Sequence, residues 1–437
     1  GYQVEVPDGF LAMVADRHQG DVKVSKKSTL LIDVEPTRLD FYEDMEKRSF
    51  ASKVLFSDTD KVVLENTLFY PEGGGQLSDI GIIKWENKEI KVVDVKKIDG
   101  VVVHHVKGAI PAVGTIISGE VDDLHRTSLS RHHTATHLIG AAARKILGSH
   151  VWQAGASKYK DRARLDITHH RRLTRDIIEL IESEVNTLIL ANHPITTKFY
   201  AREEADKKYG NTLYQGGAPK YKEVRVVEIP NIDAQACAGT HVSSTLKVEA
   251  VKVLRTERVQ DGVERIEFSA GPSAVEASQK ERALLEKTAE QLGVPVDQAP
   301  SAAQKFVKEW KELRNKVSSL EKELASFKSS NLESESIGEI NFYSDNMGET
   351  DFGEVQKLVR TITLESNNII AIGSCKGDKA TVVLASSSLL DFNCGSILKE
   401  VLTSVGSSGG GKETYAQGAC SPSDIDAVLS KIRNFIS

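Results

Sequence analysis

Leu124-His-Arg-Thr-Ser-Leu129-Ser-Arg-His-His133-Thr-Ala-Thr-His137-Leu138-Ile-Gly-Ala-Ala-Ala-Arg-Lys-Ile146, closing at Gly148, is the stretch on which the reading of this chain turns. Leu124, Leu129, His133, Leu138 and Ile146 fall on a helical period, and the glycine beyond them is a stop signal. The spacing predicts a long amphipathic helix. His133 and His137 lie four positions apart. On a helix both imidazoles then project from one face about a turn apart, which suits two ligands of one metal ion.

Upstream of this helix the texture is different. Short β-rich runs at 61–64, 90–95, 101–106 and 114–121 are punctuated by Gly, Pro, Asn and Asp, which predicts a small barrel or curled antiparallel sheet. Downstream, a second helix is predicted over 176–191, ending before Pro194, with strands at 195–201, 225–229, 248–256 and 263–269. Further on, Phe306, Trp310, Leu313, Val317, Leu320, Leu324 and Phe327 alternate spacings of four and three, an a/d seam. With a preceding helix near 284–292 and a turn at 293–295 this reads as a helical hairpin, packed internally or forming a dimer interface. After a polar linker at 329–336 come buried strands at 369–372 and 381–385 and helices at 396–405 and 423–435. The run Gly406-Ser-Ser-Gly-Gly-Gly-Lys412 between those helices reads as a flexible linker or a phosphate cradle. It lacks P-loop spacing.

The fold class is therefore α+β and multidomain. A tail and connector occupy 1–45, a small β-barrel 46–121, an α/β domain 122–270, a helical hairpin 271–330 and a C-terminal α/β globular domain 331–437. At 437 residues the chain is too long for one ordinary core. Hydrophobic residues at 40% and charged residues at 27% have the balance of a globular protein. No stretch approaches eighteen consecutive apolar residues, so no membrane span is expected, and no secretory leader opens the chain. Four cysteines are too few for a disulfide framework at this length, which predicts a reducing, cytoplasmic setting. The net charge of −6 is no global signal for nucleic acid. A local run of Lys158, Lys160, Arg162, Arg164, Arg171 and Arg172 is either a solvated face or a phosphate contact.

The chemistry rests on a second pair. Cys237-Ala-Gly-Thr-His241 supplies a thiol and a third imidazole at the same spacing as His133 and His137. Thiolate with imidazoles is a borderline-soft set that favours tetrahedral Zn2+. Four protein ligands would close the sphere of a structural ion, whereas loose binding by one, His241 for instance, would open a catalytic position. No Glu follows the first His, so the H-E-x-x-H protease motif is absent.

These motifs resemble the editing domain of alanyl-tRNA synthetases and of the freestanding AlaX-type editing proteins. The stretch Asn66-Thr-Leu-Phe-Tyr-Pro-Glu-Gly-Gly-Gly-Gln76-Leu-Ser-Asp79-Ile-Gly81 looks like the family's most recognisable segment. His150-Val-Trp-Gln153-Ala-Gly-Ala-Ser157 and Arg164-Leu-Asp166 are similar to two more. The seam helices and 406–418 look like the family's C-terminal domain for oligomerisation and transfer-RNA binding. Val4-Glu-Val-Pro-Asp-Gly-Phe10, Met13-Val-Ala-Asp-Arg-His18 and Pro36-Thr-Arg-Leu-Asp-Phe-Tyr-Glu43 resemble the archaeal-type connector into editing. Ala238 stands where the family more often has Gly, and Ser407 and Ser408 interrupt its usual glycine run.

The resemblance implies deacylation of alanine transfer RNA wrongly charged with serine or glycine, in the C-terminal part of a synthetase whose aminoacylation domain lies elsewhere. It implies Zn2+ on His133, His137, Cys237 and His241, catalytic roles for Thr67, Gln76 and Gln153, and transfer-RNA contacts from Lys158, Arg164 and Lys412. Thr67 and Gln153 are the candidates to bind the serine hydroxyl. A homodimer through 273–437 is expected. A freestanding AlaX-type deacylase, a non-catalytic RNA-binding body with structural zinc, and an unrelated zinc hydrolase are the alternatives.

Overall fold

A computed structural model describes residues 34–215, 217, 222–330 and 332–436. The helix expected near Phe10 lies outside the described residues. The chain divides into two units, meeting after Leu285.

The first unit holds two large cores and a small one around Ala205, Leu213 and Val224. One is a closed six-stranded barrel, in the order Ser49–Asp58, Lys61–Leu64, Val101–Lys107, Lys88–Ile98, Gly81–Trp85 and Ile116–Val121. Alternate residues point inward, so Val54, Val62, Leu64, Ile83, Val92, Val102 and Ile117 fill it. Two of these strands, Ser49–Asp58 and Gly81–Trp85, are additions to the predicted set. The first hides its alternation behind an inward serine, whose Ser52 hydroxyl accepts from Asn66 N at 3.1 Å. Phe41, from the connector, is buried in the same core.

Thr67, the expected reader of a serine hydroxyl, lies against this barrel on the short strand Asn66–Thr67, which pairs with Arg38–Leu39. It is fully buried. Its Oγ1 accepts from Phe69 N at 3.0 Å and lies 2.9 Å from His104 Nε2. His104 Nδ1 sits 3.1 Å from the Val62 carbonyl, which can only accept, so the ring proton is on Nδ1 and Thr67 donates to Nε2. Burial holds the His104 imidazole down to about 4, keeping it neutral. The hydroxyl is thus bonded to the barrel.

The second core packs helix Asp123–Leu147 and helix Arg175–Leu190 on a sheet ordered Val251–Gln260, Val263–Ala270, Ala163–Thr168, Gln153–Lys158. The long helix starts at Asp122, whose carboxylate accepts from His125 N at 2.8 Å, and stops at Gly148 with φ 114°. Leu124, placed on its apolar stripe from the sequence, is 79% exposed. The inward face of the first turns is polar instead, with Arg126 and Ser130 buried. A three-stranded sheet, Thr196–Ala201, Glu223–Ile229 and Asp233–Ala236, leads into Cys237.

In the second unit helix Ala299–Ser330 precedes a six-stranded sheet. Its order is Ser334–Ile337, Ile340–Asn346, Asn368–Lys376, Lys379–Ser386, Tyr415–Cys420 and Ser408–Gly411. Ile369 and Ala371 face helices Cys394–Thr403 and Ile425–Asn434, while Ile370 and Ile372 face helix Phe352–Ile362. Covering on both faces explains the continuous apolar run read as a buried strand. The Gly406–Lys412 run is neither linker nor cradle. Ser408–Gly411 is the edge strand, paired Gly409 to Gly418 and Gly411 to Ala416. A Cβ on Gly409 would lie 2.8 Å from Gly418 Cα and 2.4 Å from Leu402 Cδ1, so the glycines let a strand press flat on its neighbours.

Replacing Thr67 by Val keeps the shape but strands His104 Nε2 and Phe69 N. Each buried group left unpaired costs about 1–3 kcal/mol. Thermal scanning of Thr67→Val is expected to show a clearly lowered transition, and an unchanged one would show that these two bonds do not stabilise the fold.

Candidate metal centre

One helical stripe builds the centre. Arg126, Ser130, His133 and His137 recur at helical spacing and all are buried. Arg126 Nε donates to both oxygens of Asp79, at 2.9 and 3.0 Å, and Arg126 Nη2 donates to Asp79 Oδ2 and to the Leu68 carbonyl. Tyr70 N also donates to Asp79, at 2.6 Å. This fully buried pair fastens the barrel to the helix. Beside it, the turn closed by Gly73 and Gln76 docks on strand Gln153–Lys158, with Lys158 N donating to Gly75 O at 2.6 Å. Gly75 has φ +74°, and a Cβ there would meet Ala156 O at 2.1 Å, so glycine alone permits the approach.

That turn delivers Gln76 to His133. Gln76 Oε1 accepts from Thr240 N at 3.1 Å and lies 2.7 Å from His133 Nδ1, which therefore carries the proton. Gln76 Nε2 donates to Thr240 Oγ1 at 2.9 Å. Gln76, expected to be catalytic, is buried directly behind His133. The other rings are backed in the same manner. Thr134 Oγ1 lies 3.1 Å from His241 Nδ1. Asp233 Oδ2 faces His137 Nδ1 at 3.6 Å, too long for a hydrogen bond, so Nδ1 has no such partner among the described residues. Carboxylate, amide and hydroxyl behind ligating imidazoles are the usual supports of a metal site.

The front atoms converge. Cys237 Sγ lies 3.3 Å from His133 Nε2 and 3.4 Å from His241 Nε2, and the four ligand atoms, His137 included, fall within 4.8 Å of one another. A tetrahedral ion with ordinary zinc–sulfur and zinc–nitrogen lengths sets such pairs about 3.5 Å apart. Burial drives His133 and His241 well below the usual histidine range and His137 down to about 3, leaving neutral rings with free lone pairs. The set fits a borderline-soft metal ion.

Several contributors carried no sequence signal. Arg225, buried between two elements, donates to the carbonyls of Cys237 at 2.8 Å and Gly239 at 3.0 Å, and stacks on Tyr42 at 4.9 Å. Tyr42 in turn donates to Ala238 O at 3.1 Å, so the connector helps shape the cysteine loop. Asp233 is raised to about 6 by burial, which Arg144 opposes.

The expected RNA contacts scatter. Lys158 is only 2% exposed and donates to Gly74 O at 3.0 Å. Burial pushes its ammonium down to about 8, against the attraction of Cys237. It is an interior cation, not part of a surface run. Arg164 is tied to Asp166 at 2.9 Å and to Ser157 Oγ at 3.2 Å. Lys160, Arg162, Arg171, Arg172 and, in the second unit, Lys412 are exposed. Gln153 lines a small cavity with Thr136, Arg144 and Gln235, and Gln235 donates to Asp233 at 2.7 Å. No hydrogen bond occupies the Gln153 amide among the described residues.

Comparison with known proteins gives these features a family. The model described as tRNA synthetases class II (A) matches residues 1–125, the threonyl and alanyl tRNA synthetase second additional domain matches 224–267, and the DHHA1 domain matches 342–437. The first match reaches across the tail and the barrel, where no resemblance to an aminoacylation domain was read from the sequence. The alanine–tRNA ligase of Methanobrevibacter smithii is 40% identical over 96% of this chain and 48% of its own length. That of Methanopyrus kandleri is 38% identical over 96% and 47%. The C-Ala domain of Aquifex aeolicus alanyl-tRNA synthetase is 23% identical with a TM-score of 0.23, covering 24% of this chain and 97% of that domain. The chain spans about half the length of the curated relatives it matches. Three family models in succession and archaeal relatives along nearly all of the sequence establish that this chain belongs to the alanyl-tRNA synthetase family.

Proposed function

We propose that this chain hydrolyses alanine transfer RNA wrongly charged with serine or glycine, using a Zn2+ held by His133, His137, Cys237 and His241. The observation that carries the reading is the convergence of His133, His137, Cys237 and His241, with Gln76 behind His133 and Thr134 behind His241. The need is physical. A synthetic pocket for alanine rejects glycine, one methyl smaller, by only about 1–3 kcal/mol, and a serine hydroxyl is also poorly excluded. A hydrolytic second sieve removes both.

Bound Zn2+ would supply Lewis-acid polarisation of the ester carbonyl or of a water. The chain's own residues do the rest. Gln76 fixes His133 as the Nδ1–H tautomer, Thr134 orients His241, and Asp233 faces His137. Thr67 and Gln153 remain the groups to meet a serine hydroxyl, and the Gln153 side-chain amide stands on a small cavity beside Gln235 with no hydrogen bond among the described residues. Exposed Lys160, Arg162, Arg171 and Arg172 offer phosphate contacts on the same unit, and Lys412 on the other.

Self-association belongs to the same reading. Phe306, Trp310, Leu313, Val317, Leu320 and Leu324 are between 49% and 62% exposed, so none of the described residues covers the seam. A second copy is the partner a heptad stripe suits.

Elemental analysis of protein purified without added metal is expected to find close to one zinc per chain, lost in Cys237→Ala, His241→Ala. Negligible zinc, or zinc undiminished in that variant, removes the centre. In deacylation assays the full chain should hydrolyse seryl and glycyl esters of alanine transfer RNA and spare the alanyl ester. Gln153→Leu should slow the seryl ester at least tenfold more than the glycyl one, since glycine makes no hydroxyl contact; equal losses would show that Gln153 does not discriminate. Light scattering should report a dimer, reduced to monomer by Trp310→Glu with Leu320→Glu. A monomeric native chain at micromolar concentration would overturn the dimer.

A further inference from the structure

A second histidine cluster stands apart from the metal centre. His150 follows the long helix, while His169 and His170 follow the strand Ala163–Thr168. One ring nitrogen from each comes within 4.8 Å of the others. His150 Nε2 and His169 Nδ1 are 2.9 Å apart, and the rings lie 5.0 to 5.6 Å between centroids.

The backbone fixes this convergence. Thr168 Oγ1 donates to the His150 carbonyl at 2.6 Å and accepts from Trp152 N at 2.9 Å, tying the two chain segments side by side. His169 N donates to Gly262 O at 2.9 Å, anchoring the buried ring from a third segment. A Cβ on Gly148 would come within 3.2 Å of His150 Nδ1, so the turn before it leaves room for this ring position.

Among the described residues no carboxylate forms a hydrogen bond or ion pair with these rings. The acid that acts on His169, Glu264, is buried and held by Arg258 Nε at 2.8 Å. Burial, with the two neighbouring imidazoles, lowers His169 and keeps lone pairs available. Three imidazoles without a carboxylate are a poor site for Ca2+ or Mg2+ and a good one for zinc, nickel or copper. Ligand nitrogens around a tetrahedral ion stand about 3.3 Å apart, close to the His150–His169 separation. Either ring can release the shared position by moving its single proton to the opposite nitrogen, so no further base is required.

We propose that His150, His169 and His170 form a second metal site, taking one divalent ion of the zinc–nickel–copper class. Two of its rings are exposed, so the ion keeps open positions toward solvent beside Arg171 and Arg172. This site is independent of the proposed editing function.

The test is calorimetric titration of Ni2+ into the full chain after elemental analysis has established its zinc content. One further ion per chain is expected, with affinity falling at least tenfold in His150→Ala and in His169→Ala. His170→Ala, at an exposed position, serves as the variant least able to disturb folding and should also weaken binding. The Cys237→Ala, His241→Ala variant should retain this ion. Absence of binding, or binding that survives all three histidine substitutions, overturns the site. A chain without zinc that still binds Ni2+ through the trio would remove the editing centre and leave this one standing.

Discussion

The first unit depends on the buried ion pair between Arg126 and Asp79. Neither side chain meets solvent, and the carboxylate is completed by Tyr70 N while the guanidinium reaches the Leu68 carbonyl. Removing one partner from such a pair costs about 3–5 kcal/mol, because an uncompensated charge stays behind. Its value to the molecule is geometric. Asp79 is three residues from Gln76, and Arg126 is two helical turns from His133. Fixing one contact therefore brings the barrel's amide onto the helix's ligand. The metal centre is assembled from two cores, and this pair sets their relation.

The long helix, the β-rich character of 50–121 and the heptad stripe were legible because each repeats a period set by one neighbouring layer. That His133, His137, Cys237 and His241 would converge was legible too, since paired His and Cys at helical or loop spacing are uncommon without a shared partner. What the sequence concealed lies in contacts between distant segments. Thr67 and Gln76 are both polar residues of one motif, yet one bonds to His104 and the other stands behind His133. Nothing local separates those fates. Lys158 looked like one of a basic run, but strand alternation and the docked glycine turn bury it alone. Arg225 and Tyr42 had no periodic signature and emerge only where the connector crosses the cysteine loop.

The glycine run near the end of the chain shows the opposite error. Gly/Ser composition suggests freedom when a segment is taken alone. Here Gly409 and Gly418 face each other across a ladder under Leu402, where side chains would not fit. The absence of side chains is a packing requirement, and the segment is ordered by its partner strand.

The Gln76–His133 contact has a thermodynamic consequence. The amide that fixes the His133 tautomer belongs to the barrel, whereas all four ligands belong to the domain beyond it. Any ion that prefers the Nδ1–H tautomer therefore binds more tightly when the barrel is docked. Linkage makes this coupling free energy reciprocal, so a bound ion holds the barrel in place by the same amount. Metal occupancy and interdomain rigidity are then one quantity seen from two sides. The turn Gly73–Gln76 would then gain from a bound ion although it lies far in sequence from every residue that would hold it.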